Sequence, residues 1–266
     1  MEDSPLRAWR IAREPFYRPA GDELALFSQA RARRLPLLLK GPSGCGKTRF
    51  VEHMAWRLGR PLVTVACHED MTASDLLGRW LLDAQGTAWQ DGPLTLAARH
   101  GAICYLDEVV EARPDALVVL HPLADTRRQL PLERKGELLH AHPGFQLVAS
   151  YNPGPRRELK PATRQRFVAL RFAALAPQDE AAVLAHESGV ATATAQRLVA
   201  VAHALRRQLR QAAEEAVSTR MLVQAAQLIC EGAPVRTACD MALTQALEDD
   251  PELARALGDL VEAHFA

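Results

Sequence analysis

The chain of 266 residues has no net charge, because 32 Lys and Arg balance 32 Asp and Glu. That balance argues against a dedicated nucleic-acid or membrane-surface binder. Cysteine is scarce: Cys45, Cys67, Cys104, Cys230 and Cys239 are scattered, odd in number and without a C-x-x-C pair. A disulfide framework and a cysteine zinc cluster are thereby excluded, and reduced thiols are the expectation. The histidines do not fill the gap, since His68, His100, His121, His140, His142 and His203 lack metal-ligand spacing. The opening residues MEDSPLRAWR contain no apolar signal core, and no apolar run approaches the length of a membrane span. The expected setting is the cytoplasm. Internal repeats and low-complexity segments are also missing.

What is present is an ordinary soluble composition, 48% apolar and 24% charged. The charge is unevenly placed. Residues 1–176 carry 25 basic and 19 acidic groups, and residues 177–266 carry 7 and 13. A two-part chain that associates head to tail would use such opposite halves. Composition changes at the same place. Residues 1–34 lead into a helix over Gly21–Arg34; thereafter strand runs alternate with helical stretches at Leu35–Leu39, Pro61–Ala66, Gly101–Leu106, Phe145–Ser150 and Arg166–Phe172. That alternation predicts a five-stranded parallel sheet flanked by helices. From Pro177 onward the chain is rich in Ala, Leu, Gln and Glu, with helical periods over Asp179–His186, Ala193–Gln211 and Thr219–Cys230. The expected domains are 1–176, α/β, and 177–266, a small helical lid. Two hairpins interrupt the α/β part, at Arg79–Trp89 with a Gln85-Gly86 turn and at Gln129–Leu139 with a Lys135-Gly136 turn. Gly92-Pro93-Leu94 starts the helix that follows the first.

The most specific motif is Gly41-Pro42-Ser43-Gly44-Cys45-Gly46-Lys47-Thr48, which fits the phosphate-binding pattern G-x-x-x-x-G-K-[ST] at every fixed position. Its glycines let successive backbone N–H groups turn toward phosphate oxygens. Lys47 would reach the β- and γ-phosphates of ATP, and the Thr48 hydroxyl would hold Mg2+. A buried strand precedes the loop and a helix follows it, as the motif requires. Cys45 is a small residue at a free position of the pattern, or an oxidisable thiol within the site.

Four further elements stand at the ends of predicted strands and helices. The run Ile103-Cys104-Tyr105-Leu106 ends in Asp107 and Glu108, sixty residues after Lys47. Asp107 is placed to hold Mg2+ and Glu108 to deprotonate an attacking water, although paired acids also suit a helix N-terminus. Ser150-Tyr151-Asn152-Pro153 puts Asn152 where it can hydrogen-bond the γ-phosphate or that water; Asn-Pro also starts turns. Arg164 and Arg166 stand two apart, and either can serve as a finger inserted into a neighbouring subunit's site. Arg220 follows Ser218-Thr219 at the start of a lid helix and would reach the γ-phosphate; Ser218 and Thr219 are also good helix caps.

Taken in this order, the elements resemble the AAA+ ATPases, a P-loop NTPase class. The hairpin after Asp75-Leu76-Leu77-Gly78, Gly92-Pro93-Leu94 and the Arg166-Phe167 pair are similar to the MoxR branch. The strings ACHEDMTASDLLGRW, WQDGPLTLAARHGAICYLDEVVEAR, RRQLPLERKGELLHAHPGFQLVASYNPG and STRMLV resemble the CbbQ/NirQ/NorQ subfamily, a likeness that runs from about Phe16 to Pro251. The resemblance implies a homo-oligomer in the form of a hexameric ring with ATP between subunits. It also implies a von Willebrand A-domain partner (CbbO-like) and a client enzyme that the pair remodels, Rubisco or nitric oxide reductase. ACHEDMTASDLLGRWLL and the acidic C-terminal group lean toward Rubisco. The stretch PGPRREL between Asn152 and Lys160 is shorter than the usual family form. Two other readings stay open: a nucleotide-gated adaptor, and a ring acting on DNA or RNA, against which the zero net charge weighs.

Overall fold

The computed structural model describes residues 6–83, 86–154, 158–208, 217–245 and 251–265. These residues form two compact units. The first comprises the described residues of 1–15, 21–41 and 47–172, and the second those of 16–20, 42–46 and 173–266.

Five parallel strands build the first unit: β1 (Leu37–Lys40), β2 (Leu62–Ala66), β5 (Ile103–Asp107), β8 (Gln146–Tyr151) and β9 (Val168–Arg171). Their order is β2-β5-β8-β1-β9. Parallel strands are covered on both faces, so the inner ones read as unbroken apolar runs. Every residue of β8 is buried, whereas three of the four in the edge strand β9 are exposed. The crossovers between strands carry α2 (Lys47–Arg57) and α4 (Pro93–His100). In α4, Pro93 occupies the first turn, where its missing N–H costs nothing, and Gly101 closes the end at φ 74°.

Both expected hairpins form. The first pairs β3 (Gly78–Asp83) with β4 (Gly86–Asp91). The Asp83–Gly86 pairing puts Gly86 in the strand; Ala84 and Gln85, between the paired residues, lie outside the described residues. At the hairpin base two backbones cross so closely that a Cβ on Gly78 would lie 2.3 Å from the Gln90 carbonyl oxygen. The second hairpin pairs β6 (Gln129–Leu132) with β7 (Glu137–His140). A short 3-10 turn over Glu133–Lys135 joins them, and Gly136 takes φ 70°.

The second unit is helical. It contains α7 (Pro177–Ser188), α8 (Thr192–Gln208), α9 (Thr219–Cys230), α10 (Val235–Cys239) and α11 (Pro251–Phe265). Leu184, Leu198, Leu205, Leu222, Leu243 and Leu257 are fully buried in its core, which is separate from that of the sheet. The helical period expected to reach Gln211 is described to Gln208. Likewise, the shortened PGPRREL stretch lies partly outside the described residues, at 155–157.

Candidate nucleotide site

The C-terminal ends of β1, β5 and β8 lie side by side, and each delivers functional groups. Beyond β1 the Gly41 N–H donates to the Tyr151 carbonyl at 3.4 Å. Gly44 and Gly46 take φ of 72° and 91°, the left-handed region where side chains are strained. A Cβ on Gly46 would meet nothing within 4 Å, so conformation alone calls for glycine there. Helix α2 starts at Lys47, and the N–H groups of its first turn face the loop end, where an anion is favoured. Cys45 is buried.

Lys47 is 6% exposed, and its Nζ donates to the Gly41 carbonyl at 2.9 Å and to Asn152 Oδ1 at 2.7 Å. With that oxygen engaged, Asn152 Nδ2 donates to Glu108 Oε1 at 2.5 Å. The ammonium, the amide and the carboxylate thus form one chain across three strand ends. Glu108 itself has φ 53° and ψ 47°, a left-handed conformation that costs a non-glycine residue about 1 kcal/mol or more. The second carboxylate oxygen, Oε2, is buried without a hydrogen-bond partner among the described residues. A buried carboxylate oxygen with spare accepting capacity, on a group whose other oxygen an amide holds in place, suits the capture of a water proton.

Period two along β5 puts Tyr105 and Asp107 on one face. Asp107 Oδ1 accepts from the Tyr105 hydroxyl at 2.8 Å and from Ser150 Oγ at 2.5 Å. Thr48 Oγ1 donates to Asp107 Oδ2 at 3.4 Å and lies 3.3 Å from the Tyr105 hydroxyl. Burial, and secondarily the Asp107 charge, pushes the Tyr105 phenol well above its usual range, so it stays a neutral donor. A hydroxyl and a carboxylate set this close are hard oxygen ligands of the kind Mg2+ takes. Their positions therefore fit the cation expected with the nucleotide.

Tyr105 and Ser150 both donate to Asp107 Oδ1, a support that motif reading passed over. The signal was available, since Tyr105 sits two residues before Asp107 and Ser150 lies on the neighbouring strand. Orienting groups behind a metal ligand are typically worth ten- to a hundredfold in metal affinity. Tyr105→Phe is accordingly expected to raise the Mg2+ concentration for half-maximal ATPase activity about tenfold, with little change in kcat at saturation. A Mg2+ titration of the variant checks this.

Arg164 and Arg166 lie elsewhere. Arg164 ends α6 (Pro161–Arg164) and stands 3.9 Å from Glu158. Arg166 Nε donates to Asp125 Oδ1 at 3.1 Å, and its Nη1 donates to the Ala162 carbonyl. Both engage these groups rather than the Lys47–Asn152–Glu108 chain. Arg220 is exposed in the first turn of α9. A Cβ on Gly44 would lie 2.9 Å from Ser218 Cβ and 3.4 Å from the Arg220 backbone nitrogen, all within the second unit.

A glycine loop between strand and helix, a lysine within it, a strand ending in two carboxylates and an asparagine on the next strand define a P-loop ATPase of the AAA class. Comparison with known proteins agrees. Residues 36–167 match the model of the AAA domain (dynein-related subfamily), and residues 180–264 match the CbbQ/NirQ/NorQ C-terminal model. The chain is 56% identical to protein CbbQ of Hydrogenophilus thermoluteolus, over 96% of this chain and 97% of that one. It is 58% identical to the denitrification regulatory protein NirQ of Pseudomonas aeruginosa, over 95% and 98%. A RuvB mutant of Thermotoga maritima shares the fold, with a TM-score of 0.55 at 12% identity, over 91% of this chain and 68% of that one. The chain belongs to the CbbQ/NirQ/NorQ family of AAA ATPases.

Proposed function

We propose that this ATPase is the motor of a client-remodelling pair, in which hydrolysis at Glu108 is converted into movement of the two hairpins. The supporting observation is how the hairpins are rooted. Arg99, in the last turn of α4, donates to Asp91 at the end of the first hairpin at 2.8 Å. It also forks onto both oxygens of Glu137 in the second, at 2.7 and 3.1 Å. Arg99, with Lys135 at 2.8 Å, holds the Glu137 carboxyl down to about 2. Trp80 Nε1 of the first hairpin donates to the Arg134 carbonyl of the second at 2.9 Å. Both hairpins are thus clamped to α4, and α4 runs directly into β5, the strand that ends in Asp107 and Glu108. Their outer surface carries Trp80, Leu81, Leu82 and Leu138, of which Leu82 is 82% exposed. Beside them lies a recess of about 330 Å3 lined by Leu77, Trp89, Val118, Leu130 and Leu132 among others. Exposed apolar groups of this kind mark protein contact surfaces.

In this reading ATP binds at Gly41–Thr48 and Mg2+ at Thr48 and Asp107. The chain assembles as a ring, hexameric by the family likeness, and Arg164 or Arg166 of one subunit completes the next subunit's site. Arg220 couples hydrolysis to the lid. A von Willebrand A-domain protein is the partner and Rubisco the client. The 58% identity to a denitrification regulatory protein supports a second arm, with nitric oxide reductase as client.

Rubisco loaded with an inhibitory sugar phosphate, supplied with this protein, the partner and ATP, is expected to regain carboxylase activity. The recovery should disappear with Lys47→Ala. No recovery alongside normal ATPase activity would move the assignment to nitric oxide reductase. Full activation by a hydrolysis-dead Glu108→Gln protein would instead favour a nucleotide-gated adaptor.

A further inference from the structure

The second unit carries a buried polar cluster that none of the motifs absorbs. Glu180, in α7, is completely buried. Arg206 of α8 grips it with both arms, Nη1 to Oε2 at 2.9 Å and Nη2 to Oε1 at 3.0 Å. Thr219 Oγ1 donates to Oε1 at 2.6 Å, and His203 Nε2 lies 2.9 Å from Oε2. Burial alone would push this carboxyl up; the Arg206 fork, with Thr219 and His203, outweighs burial and holds it below the ordinary carboxylate range. Arg206 also donates to the Val217 carbonyl, through Nε at 3.0 Å and Nη2 at 2.7 Å.

The cluster therefore holds the chain on both sides of Ser218, by the carbonyl before it and the hydroxyl after it. Ser218 caps α9, accepting from the Met221 N–H at 3.4 Å. It is also the residue nearest to where a Cβ on Gly44 would stand, and the Arg220 backbone nitrogen is next to it. A buried ion pair of this kind is often replaceable by apolar residues without loss of stability. Its placement under this one turn instead serves position.

We propose that Glu180, acting with Arg206, is a positioning residue of the ATPase reaction that fixes the Val217–Arg220 turn, and with it Arg220, against the phosphate loop. The proposal rests on the reading of Arg220 as the residue that senses nucleotide.

The test uses the full chain and steady-state ATP hydrolysis. Glu180→Gln and Thr219→Val are each made alone and on an Arg220→Ala background. In the otherwise unchanged protein each is expected to lower kcat/KM for ATP about tenfold, and Thr219→Ser to restore it. On the Arg220→Ala background, itself impaired at least as much, each should cost less than twofold, because residues acting through one another are not additive. Equal losses on both backgrounds would overturn the proposal, leaving Glu180 a structural residue while Arg220 keeps its role. An Arg220→Ala protein as active as the parent would overturn the reading of Arg220 itself. Thr219→Val removes a single hydroxyl, so the outcome is readable even where Glu180→Gln fails to fold.

Discussion

Glu108→Gln is expected to reduce ATP turnover by roughly 10²- to 10⁴-fold while nucleotide binding persists, the range a positioned general base supplies. The substitution is nearly isosteric. A glutamine keeps an oxygen to accept from Asn152 Nδ2, the 2.5 Å contact that fixes the side chain. It replaces the second carboxylate oxygen, the buried Oε2 with no partner among the described residues, by an amide nitrogen that cannot take a proton. The chain from Lys47 through Asn152 stays intact, so ATP should still raise the melting temperature. Turnover at the parent rate would show that Glu108 is not the base.

The strands were legible because parallel, doubly covered strands are written as apolar runs. Observed ends differ from those read in the sequence by one or two residues, as at β1, where the run starts at Leu35 but pairing begins at Leu37. Leu35 is exposed, and its carbonyl accepts from Gln146 Nε2 instead of a ladder N–H. The phosphate loop, Asp107 and Glu108 were legible because their chemistry is local in sequence. The groups supporting them were not. Tyr105 and Ser150 meet at Asp107 only because β5 and β8 are neighbours, with Leu106 opposite Ala149, and that order follows from tertiary packing. Glu180, Arg206 and Thr219 lie on three different helices, and nothing in the helical period singles out a buried carboxylate in α7. The loop grouping differs too. Pro42–Gly46 clusters with the helical unit rather than with the strand and helix on either side, which follows from the closeness of Gly44 to Ser218.

Lys47→Ala should differ from Glu108→Gln by losing binding as well as turnover. The Lys47 ammonium sits between the Gly41 carbonyl, at the start of the loop, and Asn152 Oδ1, at the end of β8. Removing it takes away the positive charge that would face the phosphates of a bound nucleotide and releases the amide that holds Glu108. Alanine also leaves the Asn152 oxygen without this donor, so the amide is free to turn over and present the wrong atom to Glu108. The parent protein at an ATP concentration 100 times its Kd should gain about 2.7 kcal/mol, read as several degrees in melting temperature. Lys47→Ala should show no such gain, while melting near the parent without nucleotide. The paired experiment separates the two roles: Glu108→Gln keeps the thermal shift and loses turnover, whereas Lys47→Ala loses both. A thermal shift surviving in Lys47→Ala would mean that the nucleotide is held somewhere other than Gly41–Thr48. Client reactivation that survived in Lys47→Ala as well would break the proposed link from loop to α4 to hairpins.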